Sequence, residues 1–407
     1  MNWRMRYGRN WGQLGMKYNV NIKKLSEVAD LTVGFVGSMA KHYVDEGVPF
    51  LRSTNIRKFK IDMSDIKYIS PEFNEKIKKS QLREGDVVIV RTGMPGACTV
   101  ILKEQEGWNC SDLVIIHPHK EKVLPLYIAA YVNYSTGIIN ANLVGAVQQH
   151  FNVGSAKNME IAVPSIEIQK KIVGIIQNIN EKLDINSRIN KNLEQQAQAI
   201  FANEFLSLDT LPEGWKQASL IDIADYLNGL AMQKYRPTAD ESGIPVLKIK
   251  ELRQGCCDNN SELCSPSIKS DYIIHDGDVI FSWSGSLLVD LWCGGICGLN
   301  QHLFKVTSNK YDKCFYYAWT KHHLDRFVAV AADKATTMGH IKRDELAKAE
   351  VLIPNEADYN RIGALLQPIY EMIISNRIEN KKLAATRDIL LPKLMNGEID
   401  MSEVDYE

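Results

Sequence analysis

The side chains best suited to chemistry in this 407-residue chain are its eight cysteines and nine histidines, and their spacing limits what they can do. Cys256, Cys257, Cys264, Cys293, Cys297 and Cys314 crowd into the second half, with His302, His322 and His323 close by in sequence. A structural zinc site needs such ligands in paired, regular spacings, and no Cys-x-x-Cys pair occurs here, so small buried thiols are the expectation. Arg91-Thr92-Gly93-Met94-Pro95-Gly96 has the look of a glycine-rich loop. It lacks the Lys-Ser/Thr of a phosphate-binding loop and opens no helix, which argues against a nucleotide site. The chain has no Asn-Pro-Pro-aromatic or Asp-Pro-Pro-aromatic motif for adenine amino-methylation, and no two-carboxylate-plus-lysine nuclease signature stands out. No catalytic, cofactor or metal residue is therefore assigned, and the chain reads as non-enzymatic.

The elements that carry these residues belong to an ordinary globular protein, with 45% apolar and 24% charged residues. No stretch approaches 18 uncharged apolar residues and the basic, aromatic N-terminus has no signal-peptide core, so a cytoplasmic protein with reduced thiols and no membrane association is expected. The net charge of −1 hides a first block, residues 1–160, with 21 Lys/Arg against 15 Asp/Glu. Its balance of +6 is compatible with a polyanionic partner without requiring one.

An internal repeat fixes the architecture. Val48-Pro49-Phe50-Leu51-Arg52 returns as Ile244-Pro245-Val246-Leu247-Lys248, Gly85-Asp86-Val87-Val88-Ile89 as Gly277-Asp278-Val279-Ile280-Phe281, and Val163-Pro164-Ser165 as Ile353-Pro354-Asn355. Between the repeats lies a helical stripe, Ile172, Ile176, Ile179, Leu183, Asn186, Asn190, Leu193, Ala197 and Ile200, whose steps of four and three keep it on one face. Adding 190 gives Ile362, Leu366, Ile369, Ile373, Asn376, Asn380, Leu383, Arg387 and Leu390. Such spacing predicts a coiled-coil seam, with the asparagines specifying register at some cost in stability, and Pro368 should bend the second helix. The fold expected is α+β, a tandem repeat of a mixed, β-rich domain followed by a long helix. The domains run over 1–160, 161–206 (helix), 207–354 and 355–396 (helix), with a tail at 397–407.

This arrangement resembles the specificity subunit of type I restriction–modification systems. Leu211-Pro212-Glu213-Gly214-Trp215-Lys216 opening the second half, Ile353-Pro354 opening the helix and Leu391-Pro392-Lys393-Leu394-Met395-Asn396-Gly397-Glu398 closing it support the likeness. At the N-terminus Met16-Lys17-Tyr18 stands where that opening motif would be. The resemblance implies two target recognition domains, each reading half of a split, asymmetric site in double-stranded DNA, on helices that pair antiparallel and set the spacer. It implies two copies of an adenine methyltransferase subunit as partners, with restriction and translocase subunits, and it places S-adenosylmethionine, ATP and Mg on those partners. A two-domain coiled-coil scaffold for proteins is the alternative, and a DNA-modifying enzyme with an unfamiliar site is a third reading.

The DNA-contact candidates are polar clusters at matching places in the two halves. Arg52, Ser53, Thr54, Asn55 and Arg57 match Lys248, Lys250 and Arg253, and Arg91 and Thr92 match Trp283 and Ser284. Gln148, Gln149 and His150 match Met338, Gly339 and His340, next to Lys334, Thr336 and Thr337. Glutamine suits an adenine edge and arginine a guanine edge, while lysine and threonine more often hold phosphates.

Overall fold

The computed structural model describes residues 17–92, 96–141, 153–333, 341, 343–402 and 404. The chain divides into two compact units, Met1–Lys182 with Leu383–Glu407, and Leu183–Lys382. Each unit thus gathers one repeat together with parts of both long helices, Ile166–Phe201 and Glu356–Met395. The sequence-based boundaries set the helices apart as separate segments. The units cut across them because each helix buries its apolar stripe against a recognition block.

In the first unit an antiparallel sheet runs in the order Ala29–Val33, Leu113–Pro118, Val87–Val90, Cys98–Val100. Val87, Val88, Ile89 and Val90 are all fully buried, which explains why this strand is an unbroken apolar run. Alternate side chains serve two cores. Val87, Ile89, Val114 and Ile116 face the helix Pro125–Ala141, whereas Val88, Val90, Leu113 and Ile115 pack with Leu51, Ile56 and Leu82. A second sheet runs Asn109–Cys110, Val48–Leu51, Lys67–Ile69, Tyr43–Val44, its first pair parallel.

The second unit repeats the plan. Its main sheet runs Asp225–Asn228, Leu303–Thr307, Val279–Ser282, Leu288–Leu291, and its smaller sheet again holds one parallel pair, Ile244–Leu247 with Cys297–Leu299. The glycine-aspartate motif closes the same turn in both. Gly85 and Gly277 have φ of 88° and 89°, a region that favours glycine, and Asp86 and Asp278 accept the backbone N–H of Arg83 and His275 at 2.8 and 2.9 Å. Each carboxylate also meets a basic group from the neighbouring strand, His117 at 2.6 Å and Lys305 at 3.0 Å. The motif is architectural.

The repeats diverge after the proline-leucine strand. A short 3-10 turn, Ser53–Asn55, follows it in the first unit, and an α-helix, Ile249–Gln254, ending at left-handed Gly255, follows in the second. The second long helix continues through Pro368, which is exposed.

Candidate nucleic-acid interface

The seam residues lie on the buried stripe of each helix. Within the second unit, Leu183, Asn186, Asn190, Leu193, Ile362, Leu366, Ile369, Ile373, Asn376 and Asn380 are buried or half-buried. Asn376 donates to Asn190 Oδ1 at 2.9 Å, Asn190 donates to the Ile373 carbonyl at 3.2 Å, and Asn186 donates to Asn380 Oδ1 at 2.9 Å. Arg361 spans Glu204 with two bonds of 3.0 and 2.8 Å. As residue numbers rise on one helix they fall on the other, so the pair is antiparallel. In the first unit Ile172 and Ile176 are buried with Leu391 and Leu394, Ile179 and Leu383 are half-buried, and Arg387 donates to Asn180 at 3.1 Å.

The opening and closing motifs fasten these helices to the blocks. Trp215 Nε1 donates to Asp358 at 3.0 Å, and Asn355 caps the helix by accepting the Asp358 N–H at 2.9 Å. In the first unit Tyr18, just before the opening strand, donates to the Leu394 carbonyl at 2.6 Å, and its phenol is pushed up to about 12 by burial. Asn396, in the closing motif, accepts from Tyr134 at 2.9 Å.

In the first block the described candidates fall into two groups. Arg52 pairs with Asp65 at 2.8 Å, and hydrogen bonds from Arg52 and Lys67 hold that carboxyl below the ordinary carboxylate range. Arg57 pairs with Asp62 at 3.2 Å and Thr54 is exposed. Asn55 is a correction. It is 1% exposed, accepts the Arg52 N–H at 3.0 Å and donates to the Asp62 carbonyl at 3.0 Å. Its amide is spent bracing its own loop and is unavailable to a base edge. Ser53, Arg91 and Thr92 instead surround Asp112, a residue that sequence reasoning missed. Ser53 Oγ and Thr92 Oγ1 both donate to Asp112 Oδ2, the former at 3.1 Å, and Arg91 Nη1 lies 3.6 Å from Oδ1.

The second block builds the same corner with other chemistry. Leu303 pairs with Ser282 as Leu113 pairs with Val90, so His302 occupies the place of Asp112. Ser284 Oγ and His302 Nδ1 are 3.3 Å apart. The Trp283 ring lies 5.5 Å from Phe304 in a stacked pair and 6.2 Å from His302, and its Nε1 donates to Asn228 at 3.0 Å. Ser284 is 2% exposed, so it positions His302 and is closed to a base. Lys248 pairs with Glu262 at 2.7 Å, Lys250 with Asp258 at 3.2 Å, and Arg253 meets Ser286 at 3.4 Å. The only signal that could have found Asp112 and His302 is their place just before the matched strands at Leu113 and Leu303.

Gln148, Gln149, His150, Lys334, Thr336, Thr337, Met338, Gly339 and His340 lie outside the described residues, as do Gly93, Met94 and Pro95. Cys98, Cys110, Cys264, Cys293, Cys297 and Cys314 are buried, and among the described residues no group of three or more His, Cys, Asp or Glu is placed to hold a metal.

A family model described as the type I restriction modification DNA specificity domain matches the chain twice, over residues 18–195 and 212–385. The specificity subunit of the type I restriction enzyme MjaIX from Methanocaldococcus jannaschii is 23% identical, with 94% of each chain covered. That of HindI from Haemophilus influenzae is 19% identical, with 83% of this chain and 90% of that one covered. Among solved structures, the S subunit of a type I restriction–modification system from M. genitalium aligns over 93% of this chain and 96% of its own, with a TM-score of 0.55 and 13% identity, a likeness of fold.

Proposed function

The chain belongs to the type I restriction–modification DNA specificity family, of which it holds two domain copies, and from that premise we propose that it is the non-catalytic, sequence-reading subunit of a methyltransferase–endonuclease complex. Each block reads one half of a bipartite site in double-stranded DNA. The long helices, 36 and 40 residues, hold the readers at a set spacing and offer docking surfaces to partner subunits. Two copies of an adenine methyltransferase fit a chain that is itself duplicated. S-adenosylmethionine, ATP and Mg belong to those partners, and the complex works in the cytoplasm.

The observation that carries this reading is the corner before the Leu113 and Leu303 strands. Two copies of one scaffold present unlike polar side chains, Asp112 with Arg91 and His302 with Trp283, at one structural position. A scaffold that repeats while its exposed polar groups differ suits two readers of different sequences.

Modularity tests it. Replacing residues 17–160 with the matching block of a relative, in a complex reconstituted with the methyltransferase, is expected to change one half of the methylated sequence and leave the other. If both halves changed, or neither did, the two-reader model would fall. Methyl transfer by the purified chain alone would refute its non-catalytic role.

A further inference from the structure

Asp112 is one of two non-glycine residues among those described with a left-handed backbone, at φ 54°, a conformation that asparagine and aspartate tolerate better than other side chains. Three hydroxyl and guanidinium groups fix its carboxylate. Oδ2 accepts from Ser53 and Thr92, the Asp112 carbonyl accepts from Ser53 at 3.3 Å, and Arg91 stands beside Oδ1. The two oxygens are therefore unequal. Oδ2 is engaged, whereas among the described residues Oδ1 accepts no hydrogen bond, since Arg91 at 3.6 Å is beyond hydrogen-bonding distance. The Asp112 side chain is 43% exposed and that of Arg91 25%, so both reach the surface. Arg91 Nε is buried and lacks a partner among the described residues, leaving the guanidinium under-used.

An acceptor and a forked donor side by side complement one base pair in particular. In the major groove a G·C pair presents the N4 amino donor of cytosine next to the O6 and N7 acceptors of guanine. An A·T pair also offers an amino donor, adenine N6, but its acceptors N7 and thymine O4 lie on opposite sides of that group, so no adjacent pair of acceptors is left for the fork and the pair fits less well. Resting on the DNA-reading role proposed above, we infer that Asp112 and Arg91 together read one G·C base pair, Asp112 Oδ1 accepting from cytosine N4 and Arg91 donating to the guanine of the same pair. Asp112 is thereby a specificity-determining residue of the first block. The second block puts Trp283 and His302 in these places and reads its half-site by other contacts.

The test uses the full chain assembled with its methyltransferase subunits and a panel of duplexes carrying all four base pairs at every position of both half-sites. Asp112→Gly deletes the carboxylate while glycine keeps the left-handed backbone without strain. Methylation by this variant is expected to lose discrimination at one G·C position of one half-site, by roughly ten- to a hundredfold, with every other position unchanged. Asp112→Asn, whose amide both donates and accepts, is expected to move the preference there toward A·T. If the wild-type complex methylates a split sequence but both variants keep its full specificity, the inference is wrong and the DNA-reading role stands. An equal loss on all duplexes, with a lowered melting temperature, would likewise overturn it by showing that Asp112 only braces its loops. If the wild-type complex recognises no split sequence, the underlying role fails instead.

Discussion

The Asn190–Asn376 pair offers a sharp energetic test of the seam. The two side chains are 7% and 8% exposed, with one bond between them at 2.9 Å and a second from Asn190 to the Ile373 carbonyl at 3.2 Å. Replacing Asn190 alone with leucine buries an apolar side chain, a gain of about 1.5–3 kcal/mol, but strands the Asn376 amide, a loss of about 1–3 kcal/mol. The single variant should therefore change stability little. Adding Asn376→Leu brings the second apolar gain with no amide left to strand, so the double variant should be more stable than the wild type. The two effects should miss additivity by the two stranding costs together, about 2–6 kcal/mol. A chain of two units is a poor subject for a single unfolding free energy, so the assay is native-state hydrogen exchange of the amides of 183–201, read locally. Effects that add to within about 0.5 kcal/mol would refute the pairing, since that is how groups without a shared partner behave.

Two further outcomes follow from charged groups in the second unit. Arg377 bonds Asp290 at 2.7 Å and Glu194 at 2.9 Å, tying the strand Leu288–Leu291 to the helix pair. Arg377→Met should cost about 1–3 kcal/mol, seen as faster exchange in 288–291 and 190–201, and unchanged exchange would refute the tie. Burial lowers the pKa of His323, which is 8% exposed and lies 2.7 Å from the Glu350 carbonyl. Above pH about 6.5 the folded and unfolded states are both neutral and its contribution is complete. As the pH falls below that value the unfolded chain takes up the proton first, so stability is lost down to the folded-state pKa. His323→Gln should flatten the decline in melting temperature between pH 7 and 5, leaving the share of His322, which burial also lowers. An unaltered slope would show that His323 is not the group responsible.

Much of the scaffold was legible because burial imposes patterns on sequence. Val87–Val90 reads as a strand since both its faces are covered, and the helical stripe reads as a seam because Ile172, Ile176, Ile362 and Ile373 recur at heptad spacing and are buried. The corner before Leu113 was not legible, because a loop side chain obeys no period. Asn55 shows the converse error. Its polar type and loop position suggested an exposed reader, but the chain folds back through Asp62 and Asp65 and consumes its amide. Lys248 and Lys250 read as candidates for DNA contact, and folding brings the carboxylates of Glu262 and Asp258 against them, which no sequence spacing announces.

The repeat keeps each task while exchanging the residue that performs it. Trp215 and Tyr18 both anchor an opening strand to a helix, one through a carboxylate on the first turn of a helix and the other through a carbonyl near the end of one. Asp86 and Asp278 both close a turn, against a histidine in one case and a lysine in the other. In the aspartate pair the geometry is matched and the chemistry is interchangeable, as expected where the task is to hold a fold. At the corner of Asp112 and His302 the geometry is matched and the chemistry is not interchangeable. An acceptor-only carboxylate and an imidazole able to donate as well as accept complement different partners.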